Sequence, residues 1–398
     1  MKLLFRGQRS TLDAEHKAIL ETNRGAVWIH AASVGEFEQA RPLIEKIVER
    51  QKTASFKDKR PIVVSFFSPS GYEARKNYDK ADAVVYLPFA TRRKAKRFLE
   101  ALQPGMAIFV KYEFWPAYLR QLKKRGIPTY SISAIFRPTQ RFFHWYGHSA
   151  LRVLKCFTHL YVQDEASRRL LAEHGIHECT VAGDTRFDRV AAVMANGRIE
   201  NGERLTPVAQ FVDGAERVLV AGSTWPQDEE LLARYENAKL ILVPHEINEE
   251  HIHYIFNLFK GRVVKYSTIA AMPSNMSRLN ILQHARVMVI DTIGLLSSIY
   301  RFGHVAYIGG GFGVGIHNTI EAAVYGVPVI FGPNYEHFRE AQGLIDAGAA
   351  RSIKNYSELE AALDTAFAEH EIIGAKAAEY VESERGATEK IYAELFGN

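Results

Sequence analysis

Cysteine is scarce in this chain. Cys156 and Cys179 are its only two, too few and too far apart for a disulfide framework or a spaced metal site, which points to a reducing cytoplasm. Long apolar runs are missing as well. The opening MKLLFRGQRS holds no segment long enough for a signal-peptide core or a membrane span, so the chain as it stands is not expected to cross a bilayer. There is no repeat of fixed period, no low-complexity tract, and no DxD-like acidic pair at a strand end. The dinucleotide fingerprint G-x-G-x-x-G and the P-loop, which needs G-K-[ST], are both absent. Acid, finally, is lacking over a long internal stretch: none occurs between Glu113 and Asp164, where Arg120, Lys123, Lys124, Arg125, Arg137, Arg141, Arg152 and Lys155 all fall. The run Arg92, Arg93, Lys94, Lys96 and Arg97 adds to this local positive field.

What is present is ample core material. A chain of 398 residues with 47% hydrophobic and 24% charged content has length and apolar mass for two domains. The net charge of +5 is modest and gives no argument for nucleic acid as a partner. Short apolar runs alternate with polar, helix-compatible segments, as in parallel sheets buried on both faces. Candidate strands are 26–33, 61–67, 83–88, 106–111, 128–134, 160–163 and 179–183, and then 217–222, 239–244, 263–267, 287–291, 305–310 and 328–332. Between the two series, NGRIENGERLTP shows no apolar periodicity and is taken as the boundary. The expectation is an α/β protein of two doubly wound, Rossmann-like domains, 1–200 and 201–398, with ligand in the crevice at the carboxyl ends of the strands.

Several segments at those strand ends carry candidate chemistry. In WIHAASVGEFEQARPL, Glu36 follows a small-residue turn and opens a helix, either as a carboxylate that complements the helix dipole or as a catalytic group facing the cleft. Pro42 either kinks that helix or marks its true start. In FVKYEFWPAYL, Pro116 suits a first helical position, Trp115 suits a core, and Glu113 among aromatics must find a partner or shift its pKa. After the next strand end, Arg186 of AGDTRFDRV either reaches an anionic ligand or pairs with Asp188 or another nearby acid.

In the second half, Ser223 or Thr224 of AGSTWPQDEELL caps a helix whose N-terminus suits phosphate, a feature common to α/β proteins. His245 and Glu246 stand at the end of LILVP, where a lone His is more often structural. The strongest local signal is VAYIGGGFGVGIHNTIEAAVYGVPVIFGP. Its loop, with Gly309, Gly310, Gly311, Gly313 and Gly315, lets backbone amides approach a phosphate, and the helix opening near Asn318 points at it. Asn318 and Glu321 have the spacing of a cap and its partner, or Glu321 accepts hydrogen bonds from a ribose; the ribose role is favoured.

At these residues the chain resembles the Kdo (3-deoxy-D-manno-octulosonic acid) transferase family. The matching segments are AASVGE, KYEFWP, GDTRFD, AGSTWPQDEE, LILVPHE, IDTIGLL and IHNTIEAAVYGVPVIFGP, in order and spread over roughly residues 25–350. The resemblance implies a GT-B fold and metal-independent, inverting transfer of Kdo from CMP-Kdo to a lipid A precursor, with no cofactor. It implies Glu36 as general base, and Glu113 and Arg186 as groups that stabilise the transition state. It places CMP on the second domain, at Ser223, Thr224, Pro244, His245, Glu246, Ile293, Gly294, Leu295, Gly311, Gly313, Asn318, Thr319, Ile320 and Glu321. Three positions depart from the family pattern: Arg186 stands for its usual Lys, His245-Glu246 for Arg-His, and Leu295 for Glu.

The basic stretch fits a phosphorylated lipid at an anionic membrane surface, where each Lys or Arg contributes about 1 kcal/mol. Arg92, Arg93, Lys94, Arg137 and Arg141 are the candidates for that face. The segment RFFHWYGHSALRVLKCF either rests on the surface or is an ordinary helix on the sheet. Family members usually carry an N-terminal hydrophobic anchor, so this chain is expected to be peripheral at the cytoplasmic face of the inner membrane, as a truncated form or one held by its basic face alone. Two rivals remain: a UDP-sugar-dependent GT-B transferase or epimerase, and a non-catalytic, phosphate-binding peripheral membrane protein.

Overall fold

The computed structural model describes residues 25–53, 59–200 and 202–397; the opening segment weighed above as a leader lies outside them. Two compact units divide the chain, one of residues 1–189 with 384–398 and the other of 190–383.

The first unit holds strands β1 (Ala26–His30), β2 (Ile62–Phe66), β3 (Ala83–Tyr86), β4 (Pro104–Val110), β5 (Thr129–Ala134), β6 (His159–Val162) and β7 (Cys179–Val181). They form one parallel sheet in the order β3-β2-β1-β4-β5-β6-β7. Side chains alternate across it with the period of two that strands impose. Trp28, Ala107 and Phe109 enter one apolar layer, while Val27, Ile29, Ile108 and Val110 enter the other. Burial on both faces explains why these strands read as continuous apolar runs.

The second unit repeats the plan with β8 (Val218–Thr224), β9 (Lys239–Pro244), β10 (Val263–Lys265), β11 (Val287–Val289), β12 (Val305–Ile308), β13 (Val329–Phe331) and β14 (Ala350–Ser352), ordered β10-β11-β9-β8-β12-β13-β14. Strand order reverses direction between β1 and β4 in the first sheet and between β8 and β12 in the second. Loops leaving adjacent strands at such a point diverge to opposite faces and open a crevice.

Three expectations change. The polar stretch taken as a linker is helical, Thr185–Glu200 followed by Gly202–Val212, because Leu205, Val208 and Phe211 recur at helical spacing and are buried. The last helix, Ala387–Phe396, joins the first unit, with Ile391 and Tyr392 in the same apolar layer as Ile47 and Met106. Asp188 ties that return by accepting the amides of Gly386 at 2.8 Å and Thr388 at 2.7 Å. β14 has no counterpart among the expected strands, since Ala-Arg-Ser offers neither an apolar run nor a β-branched residue.

Candidate active site

In the first unit the switch point brings two carboxylates together. Glu36 lies in the first turn of the helix Val34–Thr53, which leaves β1, and Glu113 lies in the loop that leaves β4. The helix starts at Val34 and runs through Pro42, so the proline neither begins nor ends it. Glu36 Oε2 accepts the backbone amide of Ala32 at 2.6 Å. Burial, and next the charge of Glu113, raise its pKa above the ordinary value, against the lowering pull of the Ala32 amide, His30 and Lys111. A carboxylate placed at a helix N-terminus is thus net destabilised as an anion, because desolvation outweighs the amide.

Glu113 finds partners. Its Oε2 lies 3.1 Å from His30 Nε2 and also accepts the indole N–H of Trp115. Trp115 packs its ring against the apolar layer and lends its one polar atom to the carboxylate. Pro116 takes the first helical position, as expected. Between strand and loop, Lys111 adopts φ of 57°, a strained conformation for a residue with a side chain.

Arg186 pairs with an acid, and the partner is Asp184, not Asp188. Its Nε donates to Asp184 Oδ2 at 2.8 Å and its Nη2 lies 2.7 Å from the same oxygen, while Asp184 Oδ1 accepts the Arg186 amide at 2.9 Å. Asp184 is buried and its carboxylate is fully engaged, so the guanidinium is oriented before any ligand arrives.

The basic candidates are spread over separate elements. Arg92, Arg93 and Lys94 are exposed in the first turn of Arg92–Leu102, a helix start with no acid in it. Arg141 lines a groove of about 360 Å³ with Arg120, Phe114, Phe142, Tyr146 and Val153. Arg137 reaches the Tyr112 hydroxyl at 3.5 Å.

In the second unit the switch point gathers the loops after β8 and β12. Neither Ser223 nor Thr224 caps the following helix. β8 runs through Thr224, Trp225 takes the cap position before Pro226–Ala233, and the Asp228 carboxylate reaches back to the Trp225 amide at 2.9 Å. Ser223 has φ of 54°, and the Thr224 hydroxyl donates inward to Glu229 at 2.8 Å. Asp228 is an organiser that sequence reasoning misses. Buried, it also accepts the Gly310 amide at 2.9 Å and the Tyr307 hydroxyl at 2.7 Å, and burial still raises its pKa. Glu229 is equally buried and lies 2.9 Å from His251 Nε2, whose ring in turn bonds the Glu246 carbonyl.

The glycine loop spends much of its donor capacity on itself. The amides of Gly309, Gly310, Gly313 and Gly315 are bonded to Gly222, Asp228, Gly310 and Gly310 respectively. That leaves Gly311, Phe312 and Val314 without a bonded amide among the described residues. The helix expected at Asn318 is a single turn, Ile320–Ala323. Asn318 Nδ2 donates to Glu321 Oε1 at 2.9 Å, so the two act as a linked pair. Beside them the ring of His245 stacks on Trp225 and on His317, with centroids 4.8 and 4.5 Å apart.

Some of the resemblance-implied contacts are restricted by burial. Leu295, Thr319 and Ile320 are fully buried, and Pro244 is buried too. Ile293 is 87% exposed and Gly294 turns the chain with φ of 87°. Among the described residues, no group of three or more His, Cys, Asp or Glu side chains is placed to hold a metal ion.

Comparison with known proteins extends this picture. Residues 7–189 match the family model of the 3-deoxy-D-manno-octulosonic-acid transferases (kdotransferases). The chain is 27% identical over 348 residues to the 3-deoxy-D-manno-octulosonic acid transferase of Rickettsia felis, covering 84% of this chain and 70% of that one. It is 24% identical over 355 residues to the transferase of the same name from Aquifex aeolicus, covering 86% of each. Among solved structures it resembles the UDP-GlcNAc 2-epimerase of Neisseria meningitidis, with a TM-score of 0.65 and 15% identity over 94% of this chain and all of that one. It also resembles MurG of Acinetobacter baumannii, with a TM-score of 0.53 and 13% identity over 93% of this chain and 99% of that one. At such identities the structural likeness speaks for the fold alone, and the fold is GT-B. The match across the unit that carries Glu36 and Glu113, joined to relatives spanning most of the length, marks the chain as a glycosyltransferase similar to the Kdo transferases.

Proposed function

We propose that this enzyme moves Kdo from CMP-Kdo to a hydroxyl of a lipid A precursor in one inverting displacement. The observation that carries the reading is the half-buried carboxylate pair at the first switch point, in which burial and the charge of Glu113 raise the pKa of Glu36. A hydroxyl oxygen of the acceptor bonds to the anomeric carbon, the bond from that carbon to the phosphate oxygen breaks, and its electron pair leaves with CMP. Glu36 takes the hydroxyl proton as the new bond forms. Glu113, held on Oε2 by His30 and the Trp115 indole, faces the positive charge that grows on the sugar. Arg186, already oriented by Asp184, supplies a fixed cation for the Kdo carboxylate or the departing phosphate.

CMP is assigned to the second unit. The open amides of Gly311, Phe312 and Val314 suit its phosphate, and the Asn318–Glu321 pair suits its ribose. A monophosphate leaving group needs less charge neutralisation than a diphosphate, so the reaction is assigned no metal or other cofactor. Incubating the protein with CMP-Kdo and a tetra-acylated lipid A precursor, followed by mass spectrometry, tests the whole reading. One added Kdo mass supports it; no product, or inhibition by UDP in preference to CMP, defeats it. For the nucleotide end, Glu321→Ala is expected to weaken CMP by about 1–3 kcal/mol, since it strips ribose donors and Asn318 of their acceptor. Unchanged CMP affinity in the folded variant, measured calorimetrically, removes Glu321 from the site.

The acceptor is assigned to the first unit at an anionic membrane surface, on the cytoplasmic face of the inner membrane. Among the described residues no helix is long and apolar enough to cross a membrane. Arg92, Arg93 and Lys94 sit at the positive end of their helix dipole, an arrangement that costs stability and is offset when the cations meet anionic headgroups. Trp145, 85% exposed beside the groove lined by Arg120 and Arg141, suits the headgroup zone. Neutralising Arg92, Arg93 and Lys94 together is expected to lower binding to phosphatidylserine-containing vesicles and to flatten its salt dependence, because these attractions are screened over about 8–10 Å. Identical binding and salt dependence in flotation assays reduces this run to a solvated helix face.

A further inference from the structure

Strand register places an imidazole behind the catalytic carboxylate. His30, the last residue of β1, is fully buried and lies opposite Ser65 of β2. Its Nδ1 is 2.9 Å from Ser65 Oγ and 3.0 Å from the Ser65 carbonyl oxygen, and its Nε2 is 3.1 Å from Glu113 Oε2. Trp28, two residues back on the same face of the strand, brings its indole Nε1 to within 2.8 Å of Ser65 Oγ. The indole N–H of Trp115 meets Glu113 Oε2 from the other side.

Donor and acceptor roles in this cluster are not free. An indole N–H only donates and an ionised carboxylate only accepts. Ser65 Oγ therefore receives the Trp28 proton, and its own hydrogen is left to point at His30 Nδ1. In the neutral imidazole Nδ1 is then bare, which puts the ring proton on Nε2, where it donates to Glu113. The opposite tautomer, with Nδ1–H on the Ser65 carbonyl, would set a bare Nε2 lone pair against a carboxylate oxygen and leave the buried Ser65 hydroxyl hydrogen without an acceptor in the cluster.

We propose that Trp28, Ser65 and His30 form a proton-ordered chain that positions Glu113, holding His30 as the Nε2–H tautomer so that two N–H donors clamp Oε2 and leave Oε1 for the reacting sugar. Among the described residues the bonds to Glu113 all fall on Oε2. His30 is a positioning residue and touches no substrate. The chain gives the two carboxylates different roles. Glu113, with both contacts on one oxygen, is held in place with Oε1 open, while Glu36 accepts a single backbone amide and is the member read as the base. The inference rests on the reading of Glu113 as a group at the reacting centre.

Two measurements on the whole 398-residue chain test it. In ¹⁵N-imidazole correlation spectra, with the His30 signals assigned by their loss in His30→Gln, the parent is expected to show protonated Nε2 and bare Nδ1. Ser65→Ala, which leaves only the carbonyl as a partner, is expected to move the proton to Nδ1. In turnover assays His30→Phe, which keeps ring volume and donates nothing, is expected to lose about 10- to 100-fold in kcat with CMP affinity unchanged, the scale of a misplaced catalytic group. His30→Gln, whose amide N–H reaches the place of Nε2, is expected to recover most of that loss. An Nδ1–H tautomer in the parent overturns the proposal, and so does a folded His30→Phe variant within two-fold of the parent. If His30→Phe does not fold, the tautomer in the parent and its switch in Ser65→Ala decide the matter. Glu113→Gln is assayed beside them: full activity there overturns the reading of Glu113 itself, whereas a loss there with an active His30→Phe overturns this inference alone.

Discussion

Glu36→Gln is expected to fold, to bind CMP as the parent does, and to lose turnover by a factor on the order of 10² to 10⁴, the usual worth of a positioned base. The substitution keeps the side chain's size and leaves an acceptor oxygen for the Ala32 amide, so the helix start should survive it. What disappears is the capacity to take a proton. The pH dependence supplies a second signature. Only ionised Glu36 accepts the hydroxyl proton, so the rate rises as pH rises through its pKa. Burial and the neighbouring Glu113 charge lift that acid limb above the ordinary carboxylate range, and the limb should be missing from the Gln variant. Turnover within a few-fold of the parent makes Glu36 structural and passes the role of base to Glu113.

Gly311→Ala is expected to cost at least about a hundred-fold in CMP affinity, or the fold of the second unit, for a reason unrelated to backbone torsion. A Cβ at this position would stand 2.6 Å from both N and Cα of Gly332, and a Cβ on Gly332 would stand 2.7 Å from the Gly311 carbonyl carbon. The loops leaving β12 and β13 touch main chain to main chain, and neither has a flexible end that can give way. Forcing them apart costs on the order of 1–3 kcal/mol or more and displaces the open amides beside it. Gly313→Ala is the control. Its Cβ would meet only Gln227 Oε1, at 3.7 Å, and its stability is expected to stay within about 0.5 kcal/mol of the parent. Equal stability and equal CMP affinity of Gly311→Ala and the parent, by thermal unfolding and calorimetry, would show that the loop does not bear on the nucleotide.

Both sheets are legible in the sequence because buried parallel strands are largely apolar on both faces, and the thirteen expected runs each overlap a strand of the structure. Glu36 and Glu113 are legible because they interrupt small-residue or aromatic turns at strand ends. Their convergence is not, since it depends on the order β2-β1-β4, which no local pattern encodes. His30 escapes notice for a related reason. A histidine inside AVWIHAAS has meaning only through Ser65 and Glu113, which lie 35 and 83 residues away. Asp228 passes as an ordinary first-turn acid, although its carboxylate binds the glycine loop across 82 residues. The supposed linker shows the reverse error: NGRIENGERLTP is polar by composition, yet the side chains at 205, 208 and 211 carry a buried helical stripe through Pro207.

The return of residues 384–398 to the first unit makes the second unit an insertion, entered near 190 and left near 383. The chain therefore has two strands of covalent connection where a simple tandem has one. A chain cut after the first sheet would lack Ile391 and Tyr392 and present bare apolar surface around Ile47 and Met106 to solvent. The excisable piece is the inserted one: residues 190–383 can be cut out as a contiguous segment, whereas the remainder becomes a single polypeptide only when Arg189 is spliced to Glu384. Exchange of the second unit between chains of this connectivity, in the laboratory or in descent, needs two matched junctions.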